Sequence, residues 1–196
     1  MQTDYIKNID NAERRMISEP VEVREEGEEK FIEGYAFVFG AQADLGDFTE
    51  EIAPGAADEV MNDDVRGLLN HEPNIVLGRT KSGTMSLSLD ARGLKYKIKY
   101  NPNDPDHVSA REKILRGDIS QSSFAFRTKD DKWETRNGKD HRTLLKFSRL
   151  IDVSPVTYAA YPDATVAARS LSKINNNKKD LAEMDQQIMR QELNLK

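Results

Sequence analysis

Between Lys30 and Val153 the apolar positions recur mainly with a period of two, as side chains do when an extended chain presents alternate residues to opposite faces. Phe31, Glu33, Tyr35, Phe37 and Phe39 fall on one face of such a strand and Ile32, Ala36 and Val38 on the other, so it should be covered on both sides. Met85, Leu87 and Leu89 are answered by Leu94, Tyr96, Ile98 and Tyr100 across Asp90-Ala91-Arg92-Gly93, which predicts a hairpin with one packed and one wet face. A later strand begins near Ile119 and runs through Phe124 and Phe126 toward Arg127; a polar hairpin around Asn137-Gly138 then leads to a strand over 143–153. Helical signals are sparse. Asp104-Pro105-Asp106 starts a helix that continues over 108–116 until Gly117-Asp118 breaks it. Pro54-Gly55-Ala56 precedes a short helix over 57–61, after a loop over 46–51. The body is therefore expected to be mainly β, with a few short helices.

The flanks differ from this body. The first 30 residues are mostly polar, with Glu25-Glu26-Gly27-Glu28-Glu29 reading as a solvated turn between a short strand and a longer one. After Arg169, residues 173–179 are almost wholly polar, and Leu181, Met184, Ile188 and Leu195 are loosely spaced along one side of a helix. The expectation is one domain over 1–170, its core within 31–169, and a polar tail over 171–196. That tail reads equally as a fraying extension and as a helix that docks on a partner or is removed by processing. A chain of 196 residues accommodates this arrangement and leaves no room for a second full domain. No run of about 18 apolar residues and no signal-type start is present, so neither a membrane span nor a secretory signal is expected, and the reading is of a soluble intracellular protein.

Composition narrows the chemistry. The absence of cysteine excludes disulfides, thiolate nucleophiles and cysteine-ligated zinc, and leaves hydroxyl, carboxylate, imidazole and amine groups. A net charge of −5, without basic stretches interleaved with aromatics, gives a nucleic-acid partner no support. HxxxH spacing, oxygen-rich loops with a glycine pivot, Walker loops and GxGxxG are all missing, so no metal or cofactor is expected.

Among three histidines, His107 at a helix start and His141 between Asp140 and Arg142 read as surface residues. His71 follows Leu68-Leu69 and closes a strand into a loop, where catalytic groups are common, although a lone histidine there reads at least as well as a structural one. In Ser122-Ser123-Phe124-Ala125-Phe126, strand parity puts Ser122 with the aromatic core and turns Ser123 away beside small Ala125, with room for a substrate. A serine merely tolerated in a half-buried strand is the alternative. In Ile151-Asp152-Val153 the same parity turns Asp152 away from the apolar face, toward the side of the sheet that Ser123 occupies. By residue type, Ser123, His71 and Asp152 meet the three needs of an activated serine: a nucleophile, a base and a group that holds the base.

The order of short motifs adds a resemblance. Gly34-Tyr35-Ala36-Phe37-Val38-Phe39, Glu51-Ile52-Ala53-Pro54-Gly55-Ala56, Asn70-His71-Glu72 and Leu77-Gly78-Arg79-Thr80-Lys81-Ser82-Gly83-Thr84 are followed by Asp90-Ala91-Arg92-Gly93-Leu94. Then come Arg116-Gly117-Asp118-Ile119-Ser120-Gln121-Ser122-Ser123-Phe124-Ala125-Phe126, Asp152-Val153-Ser154-Pro155-Val156-Thr157 and Ala160-Tyr161-Pro162. In this order, over roughly 31–169, they resemble the tailed-phage prohead protease family, which is similar in fold to the herpesvirus assemblins. The resemblance implies a β-rich α+β fold, a small closed or partly open barrel flanked by short helices, with the active site on its outside. It implies that His71 and Ser123 match the family base and nucleophile, and that Asp152 stands where the family usually carries a glutamate. That departure keeps two alternatives: His141 as the orienting group, since the herpesvirus relatives use a second histidine, and a non-enzymatic capsid- or scaffold-associated module on the same barrel. The implied reaction is cleavage of the scaffold portion of an immature capsid, and of the enzyme itself, inside the assembling prohead in the host cytoplasm. The implied partners are the major capsid protein with its scaffold segment, or a separate scaffold protein, and a second copy of the chain.

Overall fold

A computed structural model describes residues 12–17 and 19–158; the tail expected over 171–196 lies outside them. In chain order the elements are β1 (Glu13–Ile17), β2 (Glu22–Glu26), β3 (Glu29–Val38), β4 (Ala43–Asp44), β5 (Phe48–Ile52), a 3-10 turn (Asp58–Val60), β6 (Arg66–Leu69), β7 (Glu72–Arg79), β8 (Met85–Leu89), β9 (Gly93–Lys99), α1 (Pro105–Leu115), β10 (Gln121–Arg136) and β11 (Lys139–Val156). One sheet runs β1-β10-β11-β5-β4, with β6 beside β11 and β7 beside β6; the other runs β2-β3-β9-β8. The first sheet is mixed, because β5 and β6 lie parallel to β11 while its other pairs are antiparallel. The second is antiparallel throughout. The protein is thus strand-rich, with one mixed and one antiparallel sheet, and among the described residues no closed barrel is formed.

The local chemistry explains these elements. Gly27, at φ 62°, turns β2 into β3 within the acidic run, and Asn137 and Gly138, at φ 52° and 79°, form the tight hairpin between β10 and β11. Positive φ at both central residues matches the right-handed twist of the flanking strands, and Asn and Gly tolerate it best. A register shift between Tyr35 and Phe37 reconciles the two apolar faces of β3: Ile32 precedes it and Phe37 follows it, and both end in the core. Asp104 caps α1 by accepting the Asp106 N–H at 2.9 Å, and Pro105 occupies the first turn, where its missing donor costs nothing.

The sheets share one core. Phe37 of β3 meets Phe124 of β10 and Phe147 of β11 at ring-centroid distances of 5.2 and 5.6 Å, and Phe126 meets Phe147 at 4.6 Å. Ile32, Tyr96, Ile98, Leu150 and Val153 fill around them. Burying such side chains is the main favourable contribution to folding.

The expected loop over 46–51 is instead largely strand β5, with Phe48, Glu50 and Ile52 pointing inward. A carboxylate in the middle position had hidden the alternation. Only a 3-10 turn replaces the helix expected over 57–61. β10 does not stop near Arg127 but continues to Arg136, because its charged half still pairs with β11 through several bulges.

Candidate active site

Four residues of two adjacent strands form a small grid. In the antiparallel register of β10 and β11, Ser123 faces Ser154 and Ala125 faces Asp152, so all four side chains share one face. β6 runs beside β11 at this level, with Arg66 and Gly67 opposite Asp152 and Val153. It then turns into β7 through Asn70 and His71, both in the left-handed region at φ 54° and 57°. The loop expected after His71 is therefore this tight hairpin turn. Asn70 ties it to the end of β11: its N–H donates to the Pro155 carbonyl at 3.0 Å, its Oδ1 accepts the Thr157 N–H at 2.8 Å, and its amide nitrogen donates to Thr157 Oγ1 at 3.2 Å. A histidine at positive φ is held there by its surroundings, and such conformations cluster at functional sites.

The turn brings His71 between the two strands. Its Nδ1 lies 2.5 Å from Asp152 Oδ1, and its Nε2 lies 2.6 Å from Ser123 Oγ. Because a carboxylate only accepts, the Asp152 contact puts a proton on Nδ1 and leaves Nε2 as the acceptor facing the serine hydroxyl. Ser154 Oγ donates to the same Asp152 Oδ1 at 2.9 Å and lies 3.3 Å from His71 Nδ1. All four residues are buried, Ser123 at 0 % exposure and His71 at 7 %. Among the described residues no group of His, Asp or Glu could hold a metal ion.

The room that parity suggested beside Ser123 is taken by β1, which pairs with β10 so that Met16 stands opposite Ser123. Ser123 Oγ lies 3.0 Å from the Arg15 carbonyl oxygen as well. One hydroxyl proton thus has two acceptors in reach, His71 Nε2 and the Arg15 carbonyl. Charged side chains anchor β1 inside the protein. Arg15 binds Glu50 through Nε at 2.5 Å and Nη2 at 2.9 Å, and Arg142 binds Glu13 at 2.6 Å and Glu50 at 3.0 Å. Burial alone would raise the Glu13 carboxyl, but the hydrogen bond from Arg142 and the charges of Arg15 and Arg142 outweigh it and hold the group at about 2 rather than 4.5.

The other sequence candidates lie elsewhere. Ser122 faces the core as parity requires, fully buried with its hydroxyl 2.8 Å from that of Tyr96, whose ionisation burial opposes. Gly34 leaves room for this pair, since a Cβ there would stand 2.9 Å from the Tyr96 oxygen. His141 is not a surface residue: it is fully buried, with Nδ1 2.7 Å from Thr49 Oγ1 and Nε2 3.2 Å from Glu51. Its ring nitrogens are directed at β5 rather than at His71. His107 is also buried, edge-on to Tyr100, and burial lowers its basicity. Two features escaped the sequence reading. Ser154 was detectable, because it lies two residues from Asp152 and so on the same face. Strand β1 was not, since the consecutive charges Glu13-Arg14-Arg15 leave no apolar alternation.

A serine hydroxyl, an imidazole and a buried carboxylate in hydrogen-bonded series form the constellation of serine hydrolases. The family model of the caudovirus prohead serine protease matches residues 19–180, and the chain belongs to that family of serine proteases. No curated protein and no solved structure matches the chain.

Proposed function

We propose that Ser123 is the nucleophile of a capsid-maturation endopeptidase, that His71 is its general base, and that Asp152 orients His71 and stabilises its charged form. The observation that carries this reading is the single imidazole bridging Ser123 at 2.6 Å and Asp152 at 2.5 Å. Ser123 Oγ attacks a peptide carbonyl while its proton passes to His71 Nε2. The same proton then goes to the leaving amine, and water, deprotonated by His71, hydrolyses the acyl-enzyme. Asp152 stands where the resemblance puts a glutamate in most of the family, and its carboxylate lying 2.5 Å from the ring supports the shorter side chain in that role.

The substrate in this reading is the scaffold portion of the immature capsid, whether part of the major capsid protein or a separate protein, and the enzyme itself. The work is done inside the assembling prohead in the host cytoplasm. Two sheets packed face to face serve as the partly open equivalent of an assemblin-like barrel, and a homodimer is the working form. The tail over 171–196 carries the enzyme into the particle or is a site of self-cleavage. Co-expression with the matching capsid protein tests the central claim: wild type should shorten the scaffold-bearing chain, as read by mass, and Ser123→Ala should leave it intact. Equal processing by Ser123→Ala would overturn it. Deleting residues 172–196 should change particle incorporation or the final mass of the enzyme, and no change in either would remove the tail from the account.

A further inference from the structure

We infer that Ser154 is a positioning residue of this site, acting on the reaction through Asp152; the inference rests on the reading of Ser123, His71 and Asp152 given above. Asp152 is 1 % exposed, and both hydrogen bonds to its carboxylate converge on one oxygen: His71 Nδ1 at 2.5 Å and Ser154 Oγ at 2.9 Å both meet Oδ1. Among the described residues Oδ2 has no partner. A carboxylate held by the imidazole alone would be free to turn about its last torsion, exchange its oxygens or tilt out of the ring plane. A second donor on Oδ1 removes that freedom and keeps the charge on the oxygen that faces the ring.

The backbone makes this contact independent of loop motion. Ser154 and Asp152 lie two residues apart on one face of β11, and Ser154 is directly opposite Ser123 in the register with β10. Ser154 is fully buried, so water does not compete for its hydroxyl. Its Oγ also lies 3.3 Å from His71 Nδ1, which places it against the junction between carboxylate and imidazole. In the series Ser123, His71, Asp152, the Ser154 hydroxyl meets the Asp152–His71 end.

The test uses the full chain and a fluorophosphonate, which labels an activated serine and requires no knowledge of the natural sequence cleaved. Ser154→Ala should lower the labelling rate of Ser123 about tenfold, the size of effect expected for loss of one hydrogen bond to a charged group. In an Asp152→Asn background the same substitution should change the rate less than twofold, because its route to Ser123 runs through the carboxylate. The low-field proton resonance of His71 Nδ1–H should shift in Ser154→Ala, whereas a merely structural serine would leave it in place. A labelling rate within twofold of wild type for Ser154→Ala, or an equal loss in both backgrounds, overturns the inference. Ser154→Cys, which retains a weaker donor of similar size, should fall between wild type and Ser154→Ala, and a rate below that of Ser154→Ala overturns it as well. Labelling of wild type but not of Ser123→Ala, with Ser154→Ala unimpaired, would remove Ser154 alone; labelling that does not depend on Ser123 would remove the underlying reading.

Discussion

Arg15 of β1 and Glu50 of β5 meet through two hydrogen bonds, at 2.5 and 2.9 Å, with both side chains almost fully withdrawn from water. A buried ion pair adds little over a well-packed apolar pair, yet removing one partner strands the other charge. Glu50→Ala leaves Arg15 and Arg142 short of a carboxylate and should cost about 3–5 kcal/mol in urea unfolding. Exposed pairs such as Lys146 with Glu59 should cost far less when broken, and equal losses at the two places would contradict the burial argument.

Acid should act through Glu13. Its carboxyl is depressed to about 2 in the folded chain against 4.5 for the free group, so the stability it contributes is fully present above 4.5 and disappears as pH falls toward 2. Midpoints of thermal unfolding should therefore drop steeply below pH 4.5. Glu13→Gln should lower stability at neutral pH and flatten that acid slope; a slope unchanged by the substitution would move the effect to another group.

Asp152→Asn tests the carboxylate directly. The amide can no longer hold His71 as the Nδ1–H tautomer by accepting alone, and the loss in kcat should be about 10⁴-fold, the size seen when the acid of a Ser-His-Asp triad becomes an amide. Far-ultraviolet circular dichroism should show the fold intact. A loss under tenfold would mean that the base needs no anionic partner.

Asn70 separates backbone from side-chain contributions in the turn that carries His71. Asn70→Gly keeps the positive φ of 54° at no steric cost but loses the two side-chain bonds to Thr157, while Asn70→Ala loses both. Asn70→Ala should be less stable than Asn70→Gly by about 1 kcal/mol, and on the role proposed for His71 both should cut kcat more than they raise KM, since the imidazole is displaced rather than the substrate surface. Equal stability of the two variants would show that the left-handed conformation costs little here.

Much of the strand order could be read from alternation, because apolar residues that face a core leave a period-two trace. β8, β9 and the apolar ends of the β10–β11 hairpin follow it closely, while α1 was marked instead by Asp104-Pro105-Asp106 at its start and Gly117 at its end. The trace fails where charges are buried. Glu50 broke the pattern of β5, and Glu13 and Arg15 gave β1 the look of a solvated flank, although all three are under 7 % exposed. Ionic partners distant in sequence, 35 residues apart for Arg15 and Glu50 and 129 for Glu13 and Arg142, leave no local mark. Parity did separate Ser122 from Ser123 and turned Asp152 toward the latter. It said nothing of how deep that face lies, and so the covering strand went unread.

The placement of the Arg15 carbonyl 3.0 Å from Ser123 joins positions 108 apart, and the His71–Asp152 and His71–Ser123 contacts span 81 and 52. Contacts of such long range form late, after the loop-closure entropy of the whole sheet has been met. On the assignment proposed for Ser123, a chain only partly collapsed would lack the His71–Ser123 contact, and cleavage would begin only with the finished tertiary structure, leaving unfinished copies of the chain unable to cut one another.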